Sequence, residues 1–241
     1  MRPRTMADRE QLVIAPHHPD RLNRPPARLG AVNHERFQQT LAWNVFRTLE
    51  LLAPAFWLRR FHVRLTGDEP PPAPQMLHVS LWRSLPLPPI QRIDGARGDE
   101  VVDIIIETEH AVWTLFAASG RNRENHEKET VARLIDAGAW LAGARRHYGG
   151  VIETEVTDAS FGGVLKSRYS RSRESVTLRS ASRGPARPTL SGWGALRWTD
   201  MAALLHECED AHNLSPIERA LARNAVGWLR DVGIEPSAPS R

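Results

Sequence analysis

Apolar positions first recur at helical spacing. In HERFQQTLAWNVFRTLELLA the residues Phe37, Leu41, Val45, Leu49 and Leu52 make one stripe. Asn33 stands where an N-cap belongs, so this segment predicts a helix over about residues 34–53. Pro54 ends it and is placed to start a second, shorter helix, AFWLRRFHVRL, that stops at Gly67. The period then changes to two. In MLHVSLW, Leu77, Val79 and Leu81 alternate with His78 and Ser80, the pattern of a half-buried strand. VVDIIIETEHAVWTLFAASG, residues 101–120, holds two β-branched or aromatic runs around the polar break Thr108 to His110, a hairpin signal. Helical spacing returns in NHEKETVARLIDAGAWLAGARRHY through Val131, Leu134, Ile135, Ala139 and Leu141. It predicts a helix over about 125–146, with a turn at His147 to Gly150 feeding a strand at Val151 to Val156.

Between and beyond these elements the chain is punctuated. Residues 1–32 carry Pro16, Pro19, Pro25 and Pro26 among scattered arginines and read as an arm, while DEPPPAPQ at 68–75 is a proline-stiffened connector and residues 83–99 read as loop. After Asp158 the pattern allows a short helix and a strand at Val176 to Leu178; Ser180 to Gly194 is loop by composition. Two helices follow, one capped by Thr199 and running to about Ala211, the other capped by Ser215 with Pro216 in its first turn. Its stripe is Ile217, Leu221, Ala225 and Trp228. The expected organisation is a flexible arm (1–32), a single α/β domain (33–235) and a tail (236–241). Its strands, 77–81, 101–107, 111–116 and 151–156, should form one mixed sheet flanked by the helices at 34–53 and 125–146.

Composition narrows the class. With 41% hydrophobic and 25% charged residues over 241 positions, wholesale disorder, collagen and a long coiled coil are excluded. Cys208 is the one cysteine, so no disulfide framework supports the fold. No apolar run is long enough to cross a bilayer, and the N-terminal run Leu12 to Ala15 is too short for a signal-peptide core, which suits a soluble cytoplasmic chain with no membrane partner. The net charge of +4 is modest, and Lys128 and Lys166 are the only lysines among the basic residues. The distribution says more: Lys166, Arg168, Arg171, Arg173, Arg179, Arg183 and Arg187 lie in one stretch with Glu174 its only acid. Such a run can track phosphates, and it nominates Lys166, Arg168, Arg171, Arg173 and Arg179 for nucleic-acid binding.

The αβββαβ order, with Asp103 opening DIIIET and a hairpin running into a helix, resembles the PD-(D/E)XK restriction-endonuclease-like family over about residues 34–157. The resemblance implies that core with two C-terminal helices appended. It also implies that Asp103 and an acid on the third strand hold Mg²⁺, with a lysine two residues after that acid positioning water for phosphodiester hydrolysis. Hard carboxylate oxygens suit a hard divalent ion that stabilises charge on the phosphate. The motif is degenerate here: aligned on Asp103, the second acid becomes Phe116 and the lysine becomes Ala118. Strand alternation puts Glu107 on the face of Asp103. Relocation within the family implies Lys128, in ENHEKET at the start of the next helix, as a substitute, and Glu50 as a helix carboxylate that approaches the site. The expectation is therefore a catalytically inactive nuclease-like protein that binds nucleic acid or serves as a partner subunit or homodimer, with no metal cofactor. The alternatives are a divergent Mg²⁺-dependent DNA endonuclease using Asp103, Glu107 and Lys128, with the two acids as metal ligands, and a structural protein-interaction module.

Other constellations point elsewhere with less force. In HECEDAH, His206 pairs with Asp210 and Cys208 with His212 on separate helix faces, whereas a tetrahedral metal site needs convergent ligands. The glycine pairs at 149–150 and 162–163 and SGWG lack the strand, turn, helix and lysine of a phosphate loop, and no GxSxG exists to anchor serine hydrolase chemistry. Of eight tryptophans, Trp43, Trp57, Trp140, Trp228, Trp82 and Trp113 fall in amphipathic elements and are expected in the core. Trp193 and Trp198 flank the basic stretch, where an indole either folds back on the domain or stacks on a base.

Overall fold

A computed structural model describes residues 34–86, 100–117, 127–154 and 190–237. Its elements are α1 (His34–Glu50), α2 (Pro54–Thr66), β1 (Leu77–Leu85), β2 (Glu100–Thr108), β3 (Ala111–Ala117), α3 (Glu127–Ala142), β4 (Arg146–Glu153), β5 (Leu190–Arg197), α4 (Trp198–Glu209) and α5 (Pro216–Asp231). They form two units, one from residues 1–61 with 198–241 and the other from residues 62–197. The boundary falls inside α2, between Phe61 and His62, and again where β5 passes into α4.

The first unit is helical. The stripe on α1 is buried at Leu41, Val45, Phe46 and Leu49, beside Trp57 and Phe61 of α2. Phe61 meets both Phe46 and Trp57 edge to face, with centroids 6.4 and 6.1 Å apart. The α1 helix packs here with α4 and α5. Ser215 caps α5 as its sequence promises: its side chain accepts from Glu218 N while Glu218 accepts from the Ser215 backbone, a complete capping box with Pro216 in the first turn. Glu218 also reaches across 165 residues to accept from Ala53 N at 2.7 Å. One carboxylate thus closes a helix start and secures the turn between α1 and α2. Trp198 is fully buried and donates to Gln38 Oε1 at 2.5 Å. Its indole has folded back and is not available to a base.

The second unit is a five-stranded mixed sheet in the order β1-β2-β3-β4-β5. The β1–β2 and β2–β3 pairs are antiparallel, and the β3–β4 and β4–β5 pairs are parallel. The hairpin turns where the sequence breaks, and Thr108 Oγ1 holds it by accepting from the backbone of His110 and Ala111 and donating to Ala111 O. One face is covered by α3, whose contacts are with β1 to β4. Leu85, Val102, Ile105, Val112, Ala137 and Ala142 make its core cluster. Because α3 approaches through small residues, Ala137, Gly138, Ala139 and Ala142, its large Trp140 stands outside at 54% exposure, contrary to the core position its stripe suggests.

The opposite face is covered by the last turn of α2. Leu65 lies so close that a Cβ on Gly194 would fall within the Leu65 carbonyl group, and one on Gly150 would press on its side chain at 2.7 Å. Gly67, at φ 75°, ends α2 as expected. Close approach corrects two sequence expectations. His147 to Gly150 is strand, not turn, so β4 starts at Arg146, and Leu190 to Gly194 is strand, not loop. Gly149 and Gly194 look like breakers locally, yet one lies under the Trp193 ring and the other under the α2 backbone. The strand expected at Val176 to Leu178 and the short helix after Asp158 lie outside the described residues.

Candidate functional site

Asp103 sits at a break in the sheet. The β1–β2 register runs from Leu77↔Thr108 to Leu81↔Ile104 and resumes at Arg83↔Val102, skipping the pair Trp82 and Asp103. Trp82 takes φ 50°, the one non-glycine residue at positive φ among those described. Beyond the break Val102 joins Ile105 in one core cluster although the two are an odd number of positions apart. The register is the same on both sides of the skipped pair, so no residue is inserted there. The Asp103 carboxylate accepts from Ala117 N at 2.8 Å, closing the end of β3.

Glu107 is engaged elsewhere. One oxygen accepts from Arg83 at 2.6 Å and the other from Arg145 at 3.2 Å. Arg145 also donates to the carbonyls of Thr108, Leu141 and Ala142, so it fastens the end of α3 to the β2–β3 turn. Four residues of strand separate Asp103 and Glu107 by about 13 Å along the backbone, and their carboxylates turn to different partners. As arranged, the pair does not present oxygens to one ion. Among the described residues no three His, Cys, Asp or Glu side chains are grouped to hold a metal.

Phe116, at the aligned place of the second acid, packs against the core cluster beneath α3. Ala118 lies outside the described residues, as do Lys166, Arg168, Arg171, Arg173 and Arg179. Lys128 is placed by its backbone in the first turn of α3, and Glu50 pairs with Arg47 at 2.5 Å within α1. In HECEDAH, Cys208 is fully buried while His206 faces Glu209 at 3.2 Å, and Glu209 also accepts from Arg223 at 2.9 Å.

Two buried histidines flank the middle of the sheet, and sequence reading passed over both. His62, on α2, accepts at Nδ1 from Trp113 Nε1 at 3.2 Å, which leaves its proton on Nε2, facing Thr66 Oγ1 at 3.2 Å. Thr66 in turn donates to His62 O and accepts from Asp68 N. Tyr148 completes the cluster, stacked on Trp113 with centroids 5.5 Å apart and edge-on to His62 at 4.6 Å. Burial holds the His62 pKa below the ordinary histidine value, against the pull of Asp68. On the other face His147 is completely buried, with Nε2 2.8 Å from Thr114 Oγ1, and burial pushes its pKa down to about 4. Its Nδ1 meets no hydrogen-bond partner among the described residues. Both rings are neutral near pH 7, and both are enclosed by helix against sheet. The missed signal for them is tertiary, since neither lies in a motif.

No described helix is long and apolar enough to cross a membrane. Compared with protein-family models, curated proteins and solved structures, the chain matches none.

Proposed function

We propose that this protein binds nucleic acid through a restriction-endonuclease-like architecture whose catalytic site is degenerate. The observation that carries the reading is Phe116: where the aligned motif calls for a second metal-binding acid, an aromatic ring packs against the core beneath α3. The succession of helix, three strands, helix and strand around a mixed sheet is what the resemblance implies and supports the same reading. Asp103 serves the sheet by capping Ala117 N, and Glu107 serves it by joining Arg83 and Arg145. Phosphate contacts fall to the basic stretch Lys166, Arg168, Arg171, Arg173 and Arg179, supported by the net charge of +4.

A gel-shift titration with and without Mg²⁺ or Mn²⁺, scored also for cleavage, tests this. The expected result is a shift that needs no metal, weakens with salt, and falls further when Arg168, Arg171 and Arg173 become alanine, with no cleavage product. Metal-dependent cleavage abolished by Asp103→Ala and by Lys128→Ala would replace the proposal with a divergent Mg²⁺-dependent nuclease, in which metal and water positioning act as one unit. No shift with any nucleic acid would leave a protein-interaction module, binding a partner or a second copy.

A further inference from the structure

We propose that the buried ring of His62 is an acid-operated latch: on gaining a proton it lets go of Trp113 on the sheet, keeps its partners on α2 and the segment that follows, and so releases the last turn of α2 from the sheet.

The hydrogen bonds around the ring leave no place for that proton. An indole nitrogen only donates, so the 3.2 Å bond from Trp113 Nε1 requires a bare lone pair on His62 Nδ1. Thr66 fixes the same tautomer from the other side. Its hydroxyl gives its single proton to His62 O at 3.1 Å, so toward His62 Nε2, 3.2 Å away, it can only accept. Asp68 N donates to the same oxygen and occupies its second lone pair. A proton added at Nδ1 therefore points at an indole N–H, donor against donor, on a fully buried ring.

The groups that face His62 divide by element. Burial opposes a charged ring most strongly; Asp68 and the Glu69 main chain, both just after α2, favour it, and Arg146 of β4 opposes it. Tyr148 of β4 and Trp113 of β3 meet the ring edge to face, with centroids 4.6 and 6.0 Å away. What holds a charged ring thus lies on its own stretch of chain. What repels it, the Trp113 donor and Arg146, lies on the sheet. The turn concerned is the one that seats α2, since Leu65 lies against Gly150 and Gly194, and Gly67 N closes the helix on Val63 O at 2.8 Å.

NMR of the imidazole and indole nitrogens of the full-length protein, with hydrogen exchange read as protection factors from pH 8 downward, tests the latch. At pH 8 His62 should carry its proton on Nε2 alone, and the Trp113 indole proton should be protected. As His62 gains its second proton, below the ordinary histidine range, protection of the Trp113 indole and the Gly67 amide should fall by roughly 5- to 10-fold, the weight of one hydrogen bond, while the amides of β2 and β3 hold theirs. In His62→Asn, whose amide oxygen offers an acceptor near the place of Nδ1 and cannot titrate, the indole should stay protected as pH falls. In Trp113→Phe, His62 should titrate closer to the ordinary value, because the bond that favours the neutral ring is gone. A proton on Nδ1 at pH 8, an indole whose protection ignores the titration, or a His62 that titrates alike in the parent and Trp113→Phe overturns the latch. So does loss of the Gly67 and sheet amides together, which is acid unfolding of the whole unit. Should either variant fail to fold, the parent's own titration decides.

Discussion

The face of the sheet beneath α3 and the face beneath the last turn of α2 are closed by different means. Under α3 the contact is made by side chains: Gly138 leaves room for the His147 ring and the Thr114 methyl, and Ile105, Val112, Ala137 and Ala142 fill the layer around them. Under α2 it is made partly by main chain, with the Leu65 carbonyl against Gly194 and the Leu65 side chain against Gly150. Side chains can change rotamer to admit an intruding atom, whereas a carbonyl in a helix cannot move without its helix. Each face also buries a neutral histidine. His62 has both ring nitrogens engaged, and His147 has a partner at one alone among the described residues. Burial by itself is enough to keep an imidazole neutral; satisfying its second nitrogen is a separate matter of stability.

The sharpest way to break this comparison is to add one methyl group to each face. Gly194→Ala should cost at least about 3 kcal/mol, at the upper end for overpacking, because the new atom meets a backbone carbonyl. Gly138→Ala should cost less, about 2 kcal/mol, since its methyl meets side-chain atoms rather than main chain, although the His147 ring it presses on is fully buried and hydrogen-bonded to Thr114. Urea denaturation of both variants checks the order, and equal losses would mean that α2 yields as readily as a rotamer does.

Acid tests the α3 face next. An unfolded histidine titrates near 6.5, whereas burial moves His147 down to about 4 in the fold, so protonation favours the unfolded chain. The stability His147 preserves is complete above pH 6.5, declines as pH falls, and is gone below about pH 4, a loss on the order of 3 kcal/mol. The difference between parent and His147→Gln unfolding free energies, followed from pH 7 to pH 4, isolates this contribution from that of the carboxylates. A constant difference across that range would show that His147 titrates alike in both states.

A smaller effect sharpens the contrast between the histidines. Thr66→Val keeps the side-chain shape of α2 and removes the oxygen that faces His62 Nε2 and accepts from Asp68 N, which makes His62 resemble His147. The expected cost is about 1 kcal/mol, the value of a typical hydrogen bond. Chemical denaturation at pH 8 measures it with both rings neutral, and no loss would mean that Thr66 contributes nothing to His62.

Local chemistry explains which elements were legible. Pro54 and Gly67 bound α2, Ser215, Pro216 and Glu218 start α5, and Thr108 turns the hairpin, because each of these residues acts on backbone within a few positions of itself. Of the candidate site, the sequence singled out Asp103 and placed Phe116 where the resemblance calls for an acid; in the structure Asp103 accepts from Ala117 N and Phe116 packs against the core cluster. Sequence reading did not foresee that Glu107 is shared by Arg83 and Arg145, which lie 24 and 38 residues away. Nor did it foresee the break at Trp82, where a tryptophan occupies a conformation that propensity assigns to glycine.

Glycine marks the division most clearly. Periodicity and capping in the sequence alone determined the succession of helices and strands, since they depend on contacts at short range along the chain. Gly149, Gly150, Gly192 and Gly194 read as turn and loop by the same local rules. Tertiary structure decided that they belong in β4 and β5, because Leu65, Thr66, Trp193 and Tyr148 need the space that a side chain at those positions would have filled.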